Sequence, residues 1–249
     1  EVEAMYNARA YNPKCELGKA GCSVFVNMHA LVLRRSGLAA ARSRPGLRFQ
    51  SYDSSSSVAA KDEPNIRHSN LGKVTRLAVI GGGKMAEALV CGLISETGPA
   101  RVDPANMMVS DPHPARRAMF TDGMGVPSTP SNAEAVDGAG LVLLCVKPQT
   151  LPKALAELKE SLSDGALVVS IAAGEMLETL QGGLGTEMSV VRAMPNTPAM
   201  VGKGMTVWIA SENVSEEQRE FAQLVFQSCG KEVEVFDESY LDMATAISG

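Results

Sequence analysis

The sequence predicts an α/β fold from residue 74 onward, with a doubly wound, mostly parallel β-sheet and right-handed crossovers. Short runs of aliphatic and β-branched residues alternate with longer helical patterns, and parallel neighbours need such a crossover between them. The strand-like runs are almost continuously apolar, which is typical of a sheet buried on both faces. The predicted strands are residues 74–80, 107–110, 141–146, 166–171 and 188–194, with one predicted helix at residues 150–162.

The composition argues against several classes of protein. The chain has 249 residues, a formal net charge of −5 and 45% hydrophobic residues, so it can bury a core but offers no basic surface to nucleic acid. Its five cysteines are widely spaced without a C-x-x-C pair and its three histidines stand alone, so neither a disulfide framework nor a metal site is predicted. No apolar run is long enough to cross a bilayer. We expect a metal-free protein of a reducing compartment, with a small-molecule partner and no nucleic-acid or membrane partner.

Residues 1–72 are predicted to form a disordered N-terminal extension, because serine, proline and charged residues replace any sustained apolar period there. The segment from Met28 to Tyr52 contains five arginines and no acidic residue, the balance of an organellar import peptide. On this interpretation Met28 is the true start, residues 1–27 lie upstream of it, and the location is mitochondrial or plastid. The alternative is a basic tail that is never cleaved on a cytoplasmic protein. The arginines are Arg34, Arg35, Arg42, Arg44 and Arg48.

A glycine-rich turn joins the first predicted strand to a helix. Gly81, Gly83 and Ala86 occupy the positions of a G-x-G-x-x-G/A pattern. The first glycine would permit the tight turn, the second would let a pyrophosphate approach the backbone, and the alanine would let the helix pack closely. N–H groups at a helix start are unpaired and face the carboxyl edge of the sheet, where ligands bind in such folds. The pattern predicts a Rossmann-type dinucleotide site; the alternative is a turn that only connects two buried elements.

The end of the second strand normally selects between NAD and NADP. Ser110 is placed to donate to a phosphate, and Arg116 or Arg117 to neutralise it, whereas Asp111 would repel a phosphate unless it turns away. Each arginine is equally well explained as part of a solvated helix face. The sequence therefore leaves the choice between NADPH and NADH open.

Three other strand ends carry unusual residues. One strand ends in Lys147-Pro148, another ends in the small residues of S-I-A-A-G, and Asn196-Thr197 lie between two prolines in M-P-N-T-P. Together with I-G-G-G-K-M-A-E-A-L, these segments resemble pyrroline-5-carboxylate reductase, the enzyme that makes proline. The resemblance runs from residue 76 to the end of the chain and is far more specific than the glycine pattern alone.

The resemblance implies reduction of 1-pyrroline-5-carboxylate to L-proline with NADPH or NADH, the last step of proline biosynthesis. It implies Asn132 at the adenosine ribose, Lys147 at the nicotinamide half and Asn196 beside the substrate. Asn196 and Lys147 are the candidate catalytic residues; Asn196 could instead shape its loop, and Lys147 is equally well explained as a solvent-facing residue with a structural backbone. Asp111 stands where relatives often have a serine that faces the 2′-phosphate, and Cys145 stands where alanine is more usual. The glycine turn and the resemblance together predict a cofactor site of Ile80, Gly81, Gly82, Gly83, Lys84, Met85, Ser110, Asp111, Asn132, Cys145, Val146, Lys147, Pro148, Ile171, Ala172 and Ala173.

The resemblance also implies a division of the chain. Residues 73–238 would form the cofactor domain, and residues 239–249, which read as the start of a helix capped near Asp237 or Ser239, would open a truncated helical dimerisation domain. Family members would be homo-oligomers, whereas oligomerisation and turnover are in doubt for the truncated chain. The alternatives are another reductase of this architecture, such as a hydroxyacid dehydrogenase or a deazaflavin-dependent NADP reductase, and a non-catalytic nucleotide-binding module.

Overall fold

A computed structural model of the chain describes residues 76–248, where eight strands form a single sheet. The spatial order is β3-β2-β1-β4-β5-β6-β7-β8, and every neighbouring pair is parallel except β6 and β7. The predicted doubly wound, mostly parallel sheet is confirmed. The predicted extension at residues 1–72, with its import segment, lies outside the described residues. The strands are β1 Leu77–Ile80, β2 Met107–Ser110, β3 Ser128–Thr129, β4 Leu141–Leu144, β5 Leu167–Ser170, β6 Ser189–Met194, β7 Gly204–Ala210 and β8 Gly230–Glu234.

Helices cover both faces of this sheet. Helices α1, α2 and α6 contribute to one buried cluster and α3, α4 and α5 to the other, while α7 packs through Leu241 against Ile209 and Val235. The seven α-helices of the described part are α1 Lys84–Ile94, α2 Pro114–Met124, α3 Asn132–Val136, α4 Leu151–Lys159, α5 Leu177–Leu184, α6 Glu216–Gln227 and α7 Ser239–Ser248. Three short 3₁₀ helices lie at Pro104–Asn106, Pro148–Thr150 and Thr197–Val201.

The central strands are apolar on both faces for a packing reason. Every residue of β1, β4 and β5 is buried, and successive side chains alternate between the two clusters because a strand has a period of two. Leu77 and Val79 enter the cluster that contains α1, whereas Ala78 and Ile80 enter the cluster that contains α4. The near-continuous apolar runs of the sequence therefore mark the middle of the sheet.

Three strands, β3, β7 and β8, are not among those that the sequence predicts. β3 has only two residues, and β8 alternates between half-buried and exposed residues, so neither gives a continuous apolar signal. β7 runs antiparallel to β6 because the short turn through Thr197–Val201 replaces a helical crossover. At the end of the chain the predicted helix is confirmed as α7, and Asp237 Oδ1 accepts the N–H of Ser239 at 2.9 Å.

Residues 76–248 contain neither a candidate membrane span nor a candidate metal site. No helix between residues 76 and 248 is both long and apolar enough to span a membrane. In the same part of the chain, no three His, Cys, Asp or Glu side chains are grouped so that they could hold a metal ion.

Candidate functional site

The parallel strands end in one row at the same edge of the sheet. The sheet register aligns Ile80, Ser110, Leu144, Ser170 and Arg192, which belong to β1, β2, β4, β5 and β6. The chain order reverses at β1, because β2 lies on one side of it and β4 on the other. A ligand crevice in an open α/β sheet forms outside the carboxyl ends of the strands at such a switch point. The turn after β1 therefore lies at the expected place.

The first two glycines of the turn are required by the fold. Gly81 has φ +93°, its N–H donates to the Ser110 carbonyl at 2.8 Å, and a Cβ there would lie 2.9 Å from the Cys145 carbonyl oxygen. A Cβ on Gly82 would lie 2.8 Å from Cε2 of Phe120. A side chain at either position would collide with a neighbouring strand end or helix, so these glycines let the turn lie close to the sheet.

Gly83 differs from them because, apart from its two neighbours in the chain, no described residue lies within 4 Å of the Cβ that it lacks. It is the N-cap of α1, offers no side chain as a cap, and is followed by Lys84, whose ammonium lies 3.2 Å from Glu87. Met85 is half-buried and Ala86 is fully buried against the sheet. The first turn of a helix has N–H groups without intrahelical partners and a positive dipole end. This arrangement fits an anionic group such as a pyrophosphate.

Asp111 follows β2 and turns toward the glycine turn. Its Oδ2 accepts the N–H of Gly82 at 2.8 Å and its Oδ1 accepts the N–H of His113 at 2.8 Å, while the residue is only 9% exposed. Together with the N–H of Gly81, which donates to Ser110, two N–H groups of the turn are thus satisfied within the protein. A second ligand of this carboxylate would have to share oxygens that already accept two hydrogen bonds.

The two arginines after β2 are held by backbone carbonyls. Arg116 donates through Nε to the Gly82 carbonyl at 2.5 Å, and its guanidinium lies 3.3 Å from the Glu87 carboxylate. Arg117 donates to the Asp111 carbonyl at 2.8 Å. Arg116 therefore braces the glycine turn from one side while Arg117 fixes the segment after β2.

Ser110 and Asn132 lie together on the β2 side of the turn. The buried Ser110 hydroxyl donates to Asn132 Oδ1 at 2.5 Å, and Asn132 Nδ2 donates to the Glu157 carboxylate at 2.7 Å. Ser131 caps α3 and so presents Asn132 at the first position of that helix. These contacts join β2, α3 and α4 in one polar chain.

On the other side of the turn, Cys145 and Val146 follow β4. The N–H of Cys145 donates to the Ile80 carbonyl at 2.8 Å, and Val146 packs against the cluster of α3, α4 and α5. Burial, with a smaller contribution from Cys229, raises the pKa of the Cys145 thiol to about 12. Cys145 is therefore a neutral, packed thiol at neutral pH.

Lys147 and Pro148 form the next part of this strand end. The Lys147 carbonyl accepts the N–H and the hydroxyl of Thr150, both at 2.9 Å, and its side chain is exposed. Pro148 begins a 3₁₀ helix, which suits its fixed φ and missing donor. The backbone of Lys147 thus has a structural role, and the amine is accessible to solvent.

The residues after β5 form a small-residue loop. The N–H of Ile171 donates to the Leu144 carbonyl at 3.1 Å, and the N–H of Ala172 donates to the Ser170 hydroxyl at 3.3 Å. Ala172 is buried and Ala173 is exposed. The loop therefore presents mainly backbone and methyl groups at the edge of the sheet.

Asn196 is buried just beyond the end of β6. It is 4% exposed, and its Oδ1 accepts the N–H of Met205 at 2.9 Å. The peptide bonds that precede Pro195 and Pro198 are trans. The amide of Asn196 thus fixes the start of β7 and is itself held in one orientation.

An ion-pair cluster that the sequence analysis does not identify lies at the β6 end of the row. Arg192, whose side chain is 3% exposed, donates to Glu238 Oε1 and to Asp242 Oδ1, each at 2.8 Å. The signal in the sequence is a single arginine inside an apolar strand, which has to find an acid because unpaired buried charge is costly. Its partners lie 46 and 50 residues further along the chain, so no local pattern identifies them.

The fold and the glycine turn together define the class of Rossmann-type dinucleotide-binding domains. A protein-family model described as "NADP oxidoreductase coenzyme F420-dependent" matches residues 76–174. A pyrroline-5-carboxylate reductase of Synechocystis is 42% identical over 177 residues, which is 70% of this chain and 63% of that relative. The chain is thus a homologue of pyrroline-5-carboxylate reductases, and the resemblance seen in the sequence is confirmed.

Solved structures agree with this relationship. A pyrroline-5-carboxylate reductase from Coxiella burnetii matches with a TM-score of 0.67 and 33% identity, over 71% of this chain and 64% of that one. A Plasmodium falciparum pyrroline carboxylate reductase with NADP bound matches with a TM-score of 0.62 and 28% identity, over 70% of this chain and 62% of that one. The chain spans less than two thirds of the length of each relative named here.

Proposed function

We propose that residues 76–248 bind NADPH or NADH and form the cofactor-binding part of an enzyme that reduces 1-pyrroline-5-carboxylate to L-proline. The observation that carries the proposal is the glycine turn, open at Gly83 and set at the switch point of a domain homologous to pyrroline-5-carboxylate reductases. Since the chain spans only 63% of the Synechocystis relative, turnover by the whole enzyme and by this chain are separate questions.

In this proposal the dinucleotide lies across the row of strand ends. The pyrophosphate meets Gly83 and the start of α1. The adenosine ribose lies toward the end of β2, beside Asp111 and Asn132, as is usual for this fold. The nicotinamide then lies on the opposite side, over the residues that follow β4, β5 and β6, where Ala172 and Ala173 leave room for a ring close to the backbone.

The proposed hydride transfer requires few catalytic side chains. When bound, the reduced nicotinamide supplies a hydride that forms a C–H bond at the imine carbon, while the C=N π electrons move to the protonated nitrogen and give the amine. The protein holds the two reactants in contact and excludes water from them. Small residues after β5 and the fixed amide of Asn196 are suited to that task.

Asn196 and Lys147 are proposed to act differently. The Asn196 amide is buried and oriented by Met205, so its Nδ2 is suited to donate to a substrate carboxylate or a nicotinamide amide. The Lys147 ammonium is exposed, so we assign to it a weaker, longer-range attraction for the substrate carboxylate. Asn196→Ala should therefore lower kcat/KM by about tenfold or more, and Lys147→Met by less, in a coupled hydride-transfer assay.

Two measurements test the proposal. Titration of the chain with NADPH and NADH, followed by nicotinamide fluorescence, should show saturable binding of at least one of them. Addition of 1-pyrroline-5-carboxylate to the chain, or to a longer form where the gene encodes one, should then consume nicotinamide absorbance. Absence of binding would contradict the dinucleotide site, and binding without turnover in the longer form would favour a non-catalytic module.

A second candidate reaction is supported by the description of the matching family model, which names coenzyme F420. In that case the same site would transfer a hydride between NADP and a deazaflavin. The two reactions are separated by supplying each acceptor in turn to the longer form with NADPH. Oxidation by the deazaflavin alone would replace the proline-forming proposal.

We further propose that residues 28–52 direct import into a mitochondrion or plastid. The support is the five arginines and the absence of acidic residues in that segment. A fusion of residues 28–52 to a fluorescent protein should enter the organelle, and a version with all five arginines changed to glutamine should not. Native protein that still carries residues 28–52 would contradict cleavage of the segment.

A further inference from the structure

The buried guanidinium of Arg192 joins three elements at the side of the site where the proposed nicotinamide lies. It stands in the row of strand ends, paired with Ser170 of β5 across the sheet. Its partner Glu238 precedes α7, and its second partner Asp242 lies on the first turn of α7. A buried charge has to be compensated, so the position of the start of α7 is fixed by the sheet.

Glu238 has a second contact, at the start of α5. Its Oε1 also accepts the N–H of Leu177, the first residue of α5, at 3.0 Å. Met176, the N-cap of α5, supplies no side-chain cap, so a carboxylate from a distant part of the chain takes the place of one. A negative group at this end of the helix also interacts favourably with the helix dipole.

The loop of residues 171–176 joins the end of β5 to the start of α5. Ile171 and Ala172 hold its first end through Leu144 and Ser170, and Leu177 is its other end. Between them Gly174 has φ +78° and Ala173 is exposed, and the Met176 sulfur accepts from the Arg192 guanidinium at 3.7 Å. Glu238 therefore anchors the far end of the loop, and Arg192 anchors Glu238.

We propose that the Arg192–Glu238 pair is a positioning device that holds the loop of residues 171–176 against the nicotinamide half of the dinucleotide, which deepens the proposed function and rests on it. Neither residue is assigned contact with the reacting atoms. Asp242, whose side chain is 62% exposed, is the weaker partner of Arg192. Neither residue of the pair contacts the glycine turn or the end of β2. The pair should therefore affect binding of the nicotinamide half of the dinucleotide and not of the adenosine half.

The test compares NADPH with 2′-phospho-ADP-ribose, which has the same adenosine and pyrophosphate groups but no nicotinamide. The measured quantity is the ratio of the two dissociation constants, obtained by calorimetry on the 249-residue chain. In Glu238→Ala we expect the affinity for NADPH to fall by about tenfold while the affinity for the analogue changes by less than about twofold. Asp242→Asn should have a smaller effect in the same direction.

Two further variants exclude a general loss of stability. Glu238→Gln keeps an amide oxygen that can accept from Arg192 and Leu177. Its ratio of the two dissociation constants should therefore be close to that of the unaltered chain. Arg219→Met breaks a matched, partly buried ion pair with Glu234, which joins α6 to β8, and should leave the ratio unchanged. Hydrogen exchange provides a second readout: NADPH should protect the amides of residues 171–177 in the unaltered chain but not in Glu238→Ala.

The outcomes are distinct. An unchanged ratio and unchanged protection in a folded Glu238→Ala would overturn the positioning role and leave the proposed function intact. An equal loss of affinity for NADPH and for the analogue would also overturn it, because the pair would then stabilise the whole domain. A chain that binds NADH instead of NADPH is tested in the same way with NADH and ADP-ribose, and failure to bind either dinucleotide would overturn the proposed function and this inference together.

Discussion

The β2 side and the β4–β6 side of the glycine turn are built differently. On the β2 side, Asp111, Ser110 and Asn132 are hydrogen-bonded to the turn, to each other and to Glu157. On the β4–β6 side, the residues that follow β4 and β5 are mostly small or apolar and bond mainly through backbone groups, while the polar side chains of Asn196 and Arg192 lie at the β6 end. The first side is suited to read hydroxyls or a phosphate, whereas the second is suited to let a flat ring approach the backbone.

The glycine turn packs against both sides. A Cβ on Gly81 would meet the β4 side, a Cβ on Gly82 would meet the β2 side, and one on Gly83 would meet neither. Glycine is thus required at two positions by packing, whereas at the third no contact of the described residues requires it. This difference allows the roles of neighbouring glycines to be separated by experiment.

The largest effect is expected from Gly83→Asp. A carboxylate about 4 Å from a pyrophosphate oxygen would cost about 4 kcal/mol, or about a thousandfold in Kd, at the dielectric typical of a protein surface. Calorimetric titration with NADPH and NADH measures this loss of affinity. Gly83→Ala is the control, because φ is −70° and its Cβ would meet nothing, so the fold should be unaffected. Unchanged affinity in Gly83→Asp would remove the case for a phosphate site at the turn.

Gly81→Ala should lower the stability of the folded chain. Alanine would have to adopt φ +93° and would approach the Cys145 carbonyl to 2.9 Å, so the free energy of unfolding should fall by about 2 kcal/mol. Urea denaturation of Gly81→Ala and Gly83→Ala, measured side by side, checks this. Equal stability of the two variants would mean that the turn does not pack against β4 as described.

Asp111→Ser should change the cofactor preference of the β2 side. Removing the carboxylate removes a negative charge from the expected 2′-phosphate position, so the Kd ratio should shift toward NADPH by about tenfold. Asp111→Asn separates charge from hydrogen bonding, because its amide oxygen can still accept one N–H of the turn. If neither variant changes the ratio of the two dissociation constants, Asp111 serves the turn alone.

The smallest effect is expected at Cys145. Burial raises the pKa of its thiol from 9.0 to about 12, so in the unfolded chain the thiol loses its proton first as the pH rises. The resulting stabilisation is complete below pH 9.0 and is lost between pH 9.0 and about 12. Cys145→Ala should therefore flatten the decline of the unfolding free energy in that window and leave NADPH binding at neutral pH unchanged. The same decline in both proteins would show that folding does not raise the pKa of the Cys145 thiol.

Much of the β1–β5 region could be predicted from the sequence because its signals are local. The strand of Leu77–Ile80, the glycine turn and the helix after it are adjacent in the chain, and the alternation of strands and helices implies parallel pairing. The three strands that were not predicted are short, exposed or antiparallel. Their formation depends on the strand beside them more than on their own residues.

Within the candidate site, the residues at the strand ends could be identified from the sequence, but their partners could not. The sequence leaves open whether Asp111 turns toward or away from the ribose position, and the contact with Gly82, 29 residues earlier, decides its direction. Arg192 is visible in the sequence only as an arginine inside an apolar strand, and Glu238 cannot be identified as its partner, because the two are separated by 46 residues and meet only after β6, α5 and α7 have packed.

By itself, the sequence determined the fold class, the position of the glycine turn and the relationship to pyrroline-5-carboxylate reductases. These depend on periodicity and on runs of neighbouring residues, which survive in a one-dimensional string. The folded structure is needed to show which glycines are required for packing, where the Asp111 carboxylate points and what compensates the charge of Arg192. A hydrogen bond or an ion pair between distant residues requires that the elements carrying them have already met, and no local segment contains that information.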